Sequence, residues 1–175
     1  MAAEIHAFEK AGLGIAPFEY VGFYTSRGPH RSVANGIEIQ VGAPGQPMGT
    51  CAFCGAGIAN CFKIKSADGK GFIVGSECVR KTGDYGMERA VDKEIQRIRK
   101  ESEEARIAEI QRRFAAGELS DLLLGLRSPS GIGASAMSWF DWMMRHAGHS
   151  GKMRVVRFVE KNEKVRAGEL VGAAS

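Results

Sequence analysis

The sequence of 175 residues lacks any apolar run near the roughly 20 residues that a helix needs to cross a bilayer. Its first stretch, MAAEIHAFEKAG, carries acidic side chains and lacks the basic start and continuous apolar core of a secretory signal peptide. These absences argue against membrane insertion and secretion. We therefore expect a soluble, cytoplasmic protein with no membrane partner.

Neither sign of charge dominates the chain. It has 24 Lys and Arg residues against 20 Asp and Glu residues, which gives a formal net charge of +4. No basic tail stands out at either end. Such a balance permits a nucleic acid or another acidic partner but does not require one. Because 44% of the residues are hydrophobic, the chain can build a core, which argues against wholesale disorder.

Cysteine is scarce, and the four cysteines are clustered at Cys51, Cys54, Cys61 and Cys78. In a reducing compartment, clustered cysteines are metal ligands or catalytic thiols more often than disulfides. A thioredoxin-like redox motif fits poorly, because no βαβ pattern surrounds the Cys-x-x-Cys pair. The segment also lacks the His-x-Glu and His-Glu-x-x-His patterns that accompany a catalytic zinc. The cysteines therefore predict a structural metal site.

The spacing of the cysteines predicts a zinc ion as that metal. Cys51-Ala-Phe-Cys54-Gly55 is typical of a zinc knuckle, in which two thiolates bind from one tight turn and the glycine permits a positive φ. Cys78 follows a predicted hairpin at the start of a helical turn, the order of ligands found in treble-clef zinc fingers. A closed structural site needs a fourth ligand. Cys61 is the first candidate, and the alternatives are His6, His30, Glu77 and Asp84.

Short β-type runs precede and follow the knuckle. Phe18–Thr25 and Gly36–Val41 are predicted strands, and SRGPHRSVANG between them is predicted to be a loop. The runs CFKIKS and GFIVGS enclose ADGK, and Asp-Gly between two alternating runs is a strong hairpin signal. The sequence from Cys78 predicts a short helical turn that ends at Gly83.

The rest of the chain predicts helices. Residues 87–116 contain no Gly or Pro, follow a capping Asp84, and carry 8 basic and 7 acidic side chains. Val91 and Ile95 belong to one apolar stripe on this helix, and Ile107 and Ile110 to a second, rotated stripe. We expect the helix to be largely exposed, and it is a candidate seam for a homodimer. Two further helices are predicted in ELSDLLLGLRS and AMSWFDWMMRHAG, and the pattern of KMRVVRFVEKNEKV fits a helix or a strand, of which we favour the helix.

These elements predict an α+β fold with three parts. Residues 1–86 form a β-rich, treble-clef-like zinc module, residues 87–116 form a long connecting helix, and residues 117–175 form a small helical part. Both tryptophans lie in AMSWFDWMMRHAG, so this segment is the predicted core of the last part.

Two groups of basic residues are candidate contacts for nucleic acid or another acidic partner. Lys63 and Lys65 lie in the predicted hairpin, close in sequence to Phe62 and Phe72. The second group lies near the C-terminus, where acidic residues at 160, 163 and 169 dilute the positive charge. Its candidate contacts are Lys152, Arg154, Arg157 and Lys161.

The segments HAFEKAGLGIAPFEYVGF, CAFCGAGI and IKSADGKGFIVGSECVRKTGD, with the charged helix that follows, resemble a family of small, mostly uncharacterised zinc-finger-like proteins of bacteriophages, prophages and plasmids. The shared pattern is Cys-x-x-Cys-Gly, a hairpin, and Val-Gly-x-x-Cys, and it covers roughly the first two thirds of the chain. The resemblance implies a mobile-element origin, a bacterial host cell, and a zinc site carried by Cys51, Cys54 and Cys78.

Two functions compete at this point. The first is a non-enzymatic protein that binds a host or defence macromolecule, for example as an anti-CRISPR or other anti-defence inhibitor. It is motivated by the small size, the structural metal, the long charged helix and the lack of a catalytic constellation in the sequence. The alternative is a nucleic-acid-binding accessory protein in replication, recombination or transcription control, motivated by the two basic groups. An enzyme is not expected.

Overall fold

The computed structural model describes residues 5–34, 37–130 and 135–168. Its contacts divide the chain into two compact units, Met1–Arg97 and Ile98–Ser175. The elements of the first unit are α1 (Ala7–Lys10), β1 (Phe18–Thr25), β2 (His30–Ala34), β3 (Ile37–Val41), β4 (Gly49–Thr50), β5 (Gly57–Ile58), β6 (Asn60–Ser66), β7 (Gly71–Val74) and α2 (Ser76–Arg80). A long helix, α3 (Tyr85–Ala115), crosses the unit boundary, and α4 (Ser120–Leu124), α5 (Ala136–His146) and α6 (His149–Arg166) follow.

The fold is mixed helix and sheet, which agrees with the predicted α+β class. It also contains a cluster of cysteines. In the first unit, β1, β6 and β7 form an antiparallel sheet in the order β1-β6-β7. The predicted hairpin is confirmed as β6 and β7, with Phe62 opposite Val74 and Lys65 opposite Gly71. Side chains alternate along β6, so that Phe62 and Ile64 are buried on one face whereas Lys63 and Lys65 are exposed.

The core of the first unit lies between this sheet and three helices. Phe8 of α1 contacts Phe18, Phe53 and Phe72 edge-on, with ring centroids 5.3 to 5.6 Å apart. Such edge-to-face pairs add stabilisation beyond the area they bury. The other buried members of this core are Cys51, Phe62, Ile64, Val74, Cys78, Val79, Met87 and Val91.

The prediction of a loop in SRGPHRSVANG, between the first two predicted strands, is wrong. His30–Ala34 forms β2, which pairs antiparallel with β3 from His30 opposite Val41 to Ala34 opposite Ile37. We call this two-stranded ribbon the β-arm. In the described part of the chain it belongs to no larger sheet, and its residues Val33, Ile37, Ile39 and Val41 are exposed.

The long helix predicted over residues 87–116 is confirmed as α3, which begins two residues earlier. Asp84 caps it, because its Oδ1 accepts hydrogen bonds from the backbone N–H groups of Gly86 and Met87, both at 3.0 Å. The two apolar stripes are used in different cores. Val91 is buried in the core of the first unit, and Ile107 and Ile110 are buried in that of the second. The homodimer seam on this helix stays a prediction.

The second unit is helical throughout its described elements. The predicted helices are confirmed as α4, α5 and α6, although α4 is only five residues long. Phe140 lies at the centre of the core and stacks on Phe114, with ring centroids 4.2 Å apart. Trp139 is also buried, as predicted, but Trp142 is exposed. No described helix combines the length and the apolar character that crossing a membrane would need.

Candidate metal centre

Three cysteines of the first unit meet at one point. The Sγ atoms of Cys51, Cys54 and Cys78 lie within 4.8 Å of one another, and those of Cys54 and Cys78 are 3.3 Å apart. Cys51 and Cys78 are buried, whereas Cys54 is exposed. The group therefore has an inner side within the core and an outer side open to solvent.

The first two thiols come from a tight turn between β4 and β5. The Gly55 N–H donates to the Cys51 carbonyl at 2.8 Å, and the Cys51 N–H donates to the Ala56 carbonyl at 2.9 Å. Gly55 has a φ of 74°, a backbone conformation that glycine adopts without a steric penalty. The Ala52 N–H donates to the carbonyl of Ile73 at 2.9 Å, which attaches the turn to β7.

Helix α2 supplies the third thiol. β7 ends at Val74, Gly75 precedes the helix, and Cys78 lies in the first turn, where its N–H donates to the Gly75 carbonyl at 3.0 Å. Gly75 is also closely approached by Ile58, since a Cβ at this position would lie 3.2 Å from Ile58 Cγ2. The chain thus delivers the third sulfur directly from the end of the hairpin.

Backbone groups of Gly75 and of the turn make the thiol of Cys51 more acidic. Burial by itself would raise its pKa, but hydrogen bonds from the backbone of Gly75, Cys54 and Phe53 outweigh it and lower the pKa of Cys51 below its usual range. The neighbouring Cys78 behaves in the opposite way. Burial, followed by hydrogen bonding to Cys54 and Cys51, raises the pKa of Cys78 to about 12.

The three sulfur donors fit a metal ion. Zn–S bonds of about 2.3 Å in a tetrahedron place sulfurs about 3.8 Å apart. The sulfurs of Cys54 and Cys78 are 3.3 Å apart, and all three lie within 4.8 Å of one another. Backbone N–H groups already directed at the sulfur of Cys51 would neutralise part of a thiolate's charge. An open pocket of about 460 Å³ adjoins the thiols and is lined by Ala56 to Asn60 and by Gly75 to Glu77. The three cysteines can therefore hold a metal ion.

Cys61, the first candidate for the fourth ligand, is not in this group. It is buried in β6, next to Phe62, which belongs to the core. Its thiol is directed at the Ile58 carbonyl, 3.9 Å away, and lies against Gly49, where a Cβ would approach its Sγ to 2.5 Å. The structure therefore gives Cys61 a packing position beneath β4.

The alternative ligands also lie outside the group of thiols. His6 Nδ1 accepts from the Phe8 N–H, and its Nε2 lies 3.8 Å from Asp84. Glu77 lines the pocket but accepts from Arg80 at 2.6 Å, and His30 is in the β-arm. Among the described residues, the group within mutual reach of one ion contains the three cysteines alone.

The two basic groups predicted as partner contacts lie in different units. Lys63 and Lys65 are exposed on β6, and Lys63 Nζ lies 5.1 Å from the ring centroid of Tyr24. Lys152, Arg154, Arg157 and Lys161 belong to α6 of the second unit. Arg154, Arg157 and Lys161 are exposed, but Lys152 is half-buried. Three residues of the second group are thus exposed on one helix, and the two lysines of the first group are exposed on a strand of the first unit.

Sequence reasoning missed the exposed apolar surface of the β-arm. Its signal was present, because Asn35-Gly36 between two β-type runs is a strong predictor of a tight hairpin. Residues 35 and 36, and with them the predicted start of the second strand at Gly36, lie outside the described residues.

Comparison with known proteins adds no relative. No family model, no curated protein and no solved structure matches the chain.

Proposed function

We propose that this chain is a non-enzymatic, zinc-stabilised binding protein of a mobile genetic element. The observation that carries the proposal is the group of three thiols at Cys51, Cys54 and Cys78, two of which belong to the core of the first unit. Zinc is the metal whose structural sites are most often built from thiolates in this knuckle spacing. The order of knuckle, hairpin and helix start supports a treble-clef-like module.

The metal is structural in this proposal. Cys51 and Cys78 pack among phenylalanines and aliphatic side chains, so an ion bound to them would tie the knuckle to α2 through the core. Glu77, a carboxylate that lines the pocket, is bonded to Arg80. A fourth donor from the pocket side would close the site, as a structural zinc requires.

The β-arm supports a macromolecular partner. Ile37, Ile39 and Val41 alternate along β3 and therefore share one face of the ribbon, and the exposed fraction of Ile37 is 66%. A two-stranded ribbon alone is marginally stable in water, and contiguous exposed apolar side chains mark interaction sites. A host or defence protein that covers this face would bury it, which is how an anti-CRISPR or another anti-defence inhibitor would act. The resemblance to phage and plasmid proteins supports the same reading.

Metal analysis of the purified protein tests the zinc site. We expect about one zinc per chain, and loss of that zinc in Cys54→Ser, whose thiol is exposed and contributes little to packing. Cys61→Ser is the matched control and should keep its zinc, because its thiol lies outside the group. The Co(II)-loaded protein should show thiolate-to-metal charge transfer that weakens in the first variant alone. Equal zinc loss in both variants would contradict the three-cysteine assignment.

Affinity purification from host lysate, with both protein and nucleic acid identified, tests the partner. The double variant Ile37→Ser/Ile39→Ser should lose a protein partner that the native chain retains. Leu124→Ser removes an equally exposed apolar side chain from α4 and is the control. A partner that survives the β-arm substitution would contradict the role of this surface.

A second candidate is a nucleic-acid-binding accessory protein in replication, recombination or transcription control. One observation favours it, namely that several basic side chains of α6 are exposed.

A further inference from the structure

Four basic residues of α6 lie on one face of the helix. Arg154, Arg157, Lys161 and Lys164 follow one another at intervals of three, four and three residues, which places them along one face of an α-helix. All four are exposed. The opposite face carries the buried residues Val155, Val156 and Val159. We call the four exposed cations the α6 stripe.

Two of the acidic residues that dilute this charge in the sequence pair with another helix, and the third, at position 169, lies outside the described residues. Glu160 pairs with Arg106 of α3, and Glu163 pairs with Arg113 of the same helix. Both carboxylates are therefore neutralised within the second unit. Among the described residues, the four cations of the α6 stripe have no ion pair. The surface is consequently more positive than the composition of the segment suggests.

We infer that the α6 stripe binds the phosphate backbone of double-stranded DNA. At a rise of 1.5 Å per residue, the row from Arg154 to Lys164 is about 15 Å long. DNA carries one negative charge per about 1.7 Å of helix axis, so a row of this length faces several phosphates at once. An α-helix with its side chains is about 10–12 Å across, close to the width of about 12 Å of the major groove.

Two other acidic surfaces fit less well. An amphipathic helix binds a membrane through its apolar face, but the apolar residues of α6 are buried in the core of the second unit. A protein interface has an apolar or aromatic centre surrounded by charge. The stripe contains no apolar side chain, and its neighbour on the same face, Val165, lies at its end. A row of cations without an apolar anchor is typical of phosphate contacts, which give affinity without reading sequence.

This inference rests on the second candidate function and assigns it to one surface, so the two can fail separately. The measurement is fluorescence anisotropy of a labelled DNA duplex of about 20–30 base pairs, titrated with the full-length protein. Salt is varied from about 50 to 200 mM, because the slope of log affinity against log salt counts the phosphate contacts. The variants each remove two positive charges from one surface.

The variant Arg154→Gln/Arg157→Gln should weaken binding by about tenfold at low salt and reduce the salt slope by about two. Arg89→Gln/Lys93→Gln, on the exposed surface of α3, is the charge-matched control and should change neither quantity by more than a fraction of that amount. Circular dichroism of each variant checks that the helices remain folded.

Three results would overturn the inference. In the first, Lys63→Gln/Lys65→Gln abolishes DNA binding and the α6 variant does not, which keeps the second candidate function but moves it to the sheet. In the second, the native protein binds an RNA duplex more tightly than DNA, or is displaced from DNA equally well by polyglutamate. In the third, no DNA binding is measured at 50 mM salt or below, about the low end of the range, and then the second candidate function fails with it.

Discussion

The two units differ in what their cores contain. In the first unit, two thiols, Cys51 and Cys78, lie among the phenylalanines and aliphatic side chains of the core. In the second unit, the described core consists of aliphatic, aromatic and methionine side chains from α3 to α6, without a cysteine. A pair of thiols that binds metal contributes to folding when the ion is present and packs as small apolar groups when it is absent. The comparison therefore predicts that the stability of the first unit depends on metal and that of the second does not.

The largest expected effect is that of metal removal. Structural zinc contributes about 10–16 kcal/mol of binding free energy in small zinc modules, which is as large as the whole stability of a typical domain. A chelator, or the variant Cys51→Ser, should therefore unfold the first unit and leave the second folded.

The chain contains convenient reporters for this experiment. Its three tyrosines, Tyr20, Tyr24 and Tyr85, belong to the first unit, and its two tryptophans, Trp139 and Trp142, belong to the second. Near-ultraviolet circular dichroism should lose its tyrosine signal on chelation, while tryptophan fluorescence keeps its native maximum. If chelation leaves both signals and the thermal midpoint unchanged, the structural role of the metal is refuted.

Much of this difference was predictable because its signals are local. The knuckle spacing around Gly55, the Asp-Gly turn of the hairpin and the uninterrupted helix from residue 87 each depend on neighbouring residues. Three of the four predicted thiol ligands are together in the structure. The treble-clef assignment and the identity of the metal as zinc stay predictions.

Two features could not be predicted from the sequence, because each depends on which side chains become neighbours in the fold. By residue type, Cys61 resembles the knuckle cysteines. In the fold it lies in β6, where its side chain shares a face with that of Lys63 and packs under Gly49. The acids of α6 dilute its charge along the chain, whereas in the fold Glu160 and Glu163 pair with α3. Both facts depend on how one helix or strand is oriented against its neighbour, and composition and spacing do not contain that information.

A core substitution in the second unit gives the next largest effect. Phe140 is fully buried in the second unit, and Phe140→Ala should lower its free energy of unfolding by about 3–5 kcal/mol, because it loses apolar contacts and leaves a cavity. The transition followed by tryptophan fluorescence should move to lower denaturant concentration, with zinc content unchanged.

The matched variant is Phe62→Ala, which removes the same buried group from the first unit. It should shift the tyrosine-reported transition and leave the tryptophan-reported one in place. If either variant moves both transitions by equal amounts, the two units unfold as one cooperative body, and the predicted difference in their stability is wrong.

The smallest effect concerns the cap of α3, the helix that the two units share. Asp84→Ala leaves the N–H groups of Gly86 and Met87 without their acceptor, and loss of such a cap costs about 0.5–2 kcal/mol. The first unit should lose that amount, because Met87 and Val91 belong to its core. Ile107 and Ile110 lie several turns further along, and fraying of the first turn should not reach them.

Asp84→Asn keeps an oxygen acceptor at the cap and should restore most of the loss. A full loss with asparagine would instead assign the effect to the carboxylate charge beside His6, 3.8 Å away.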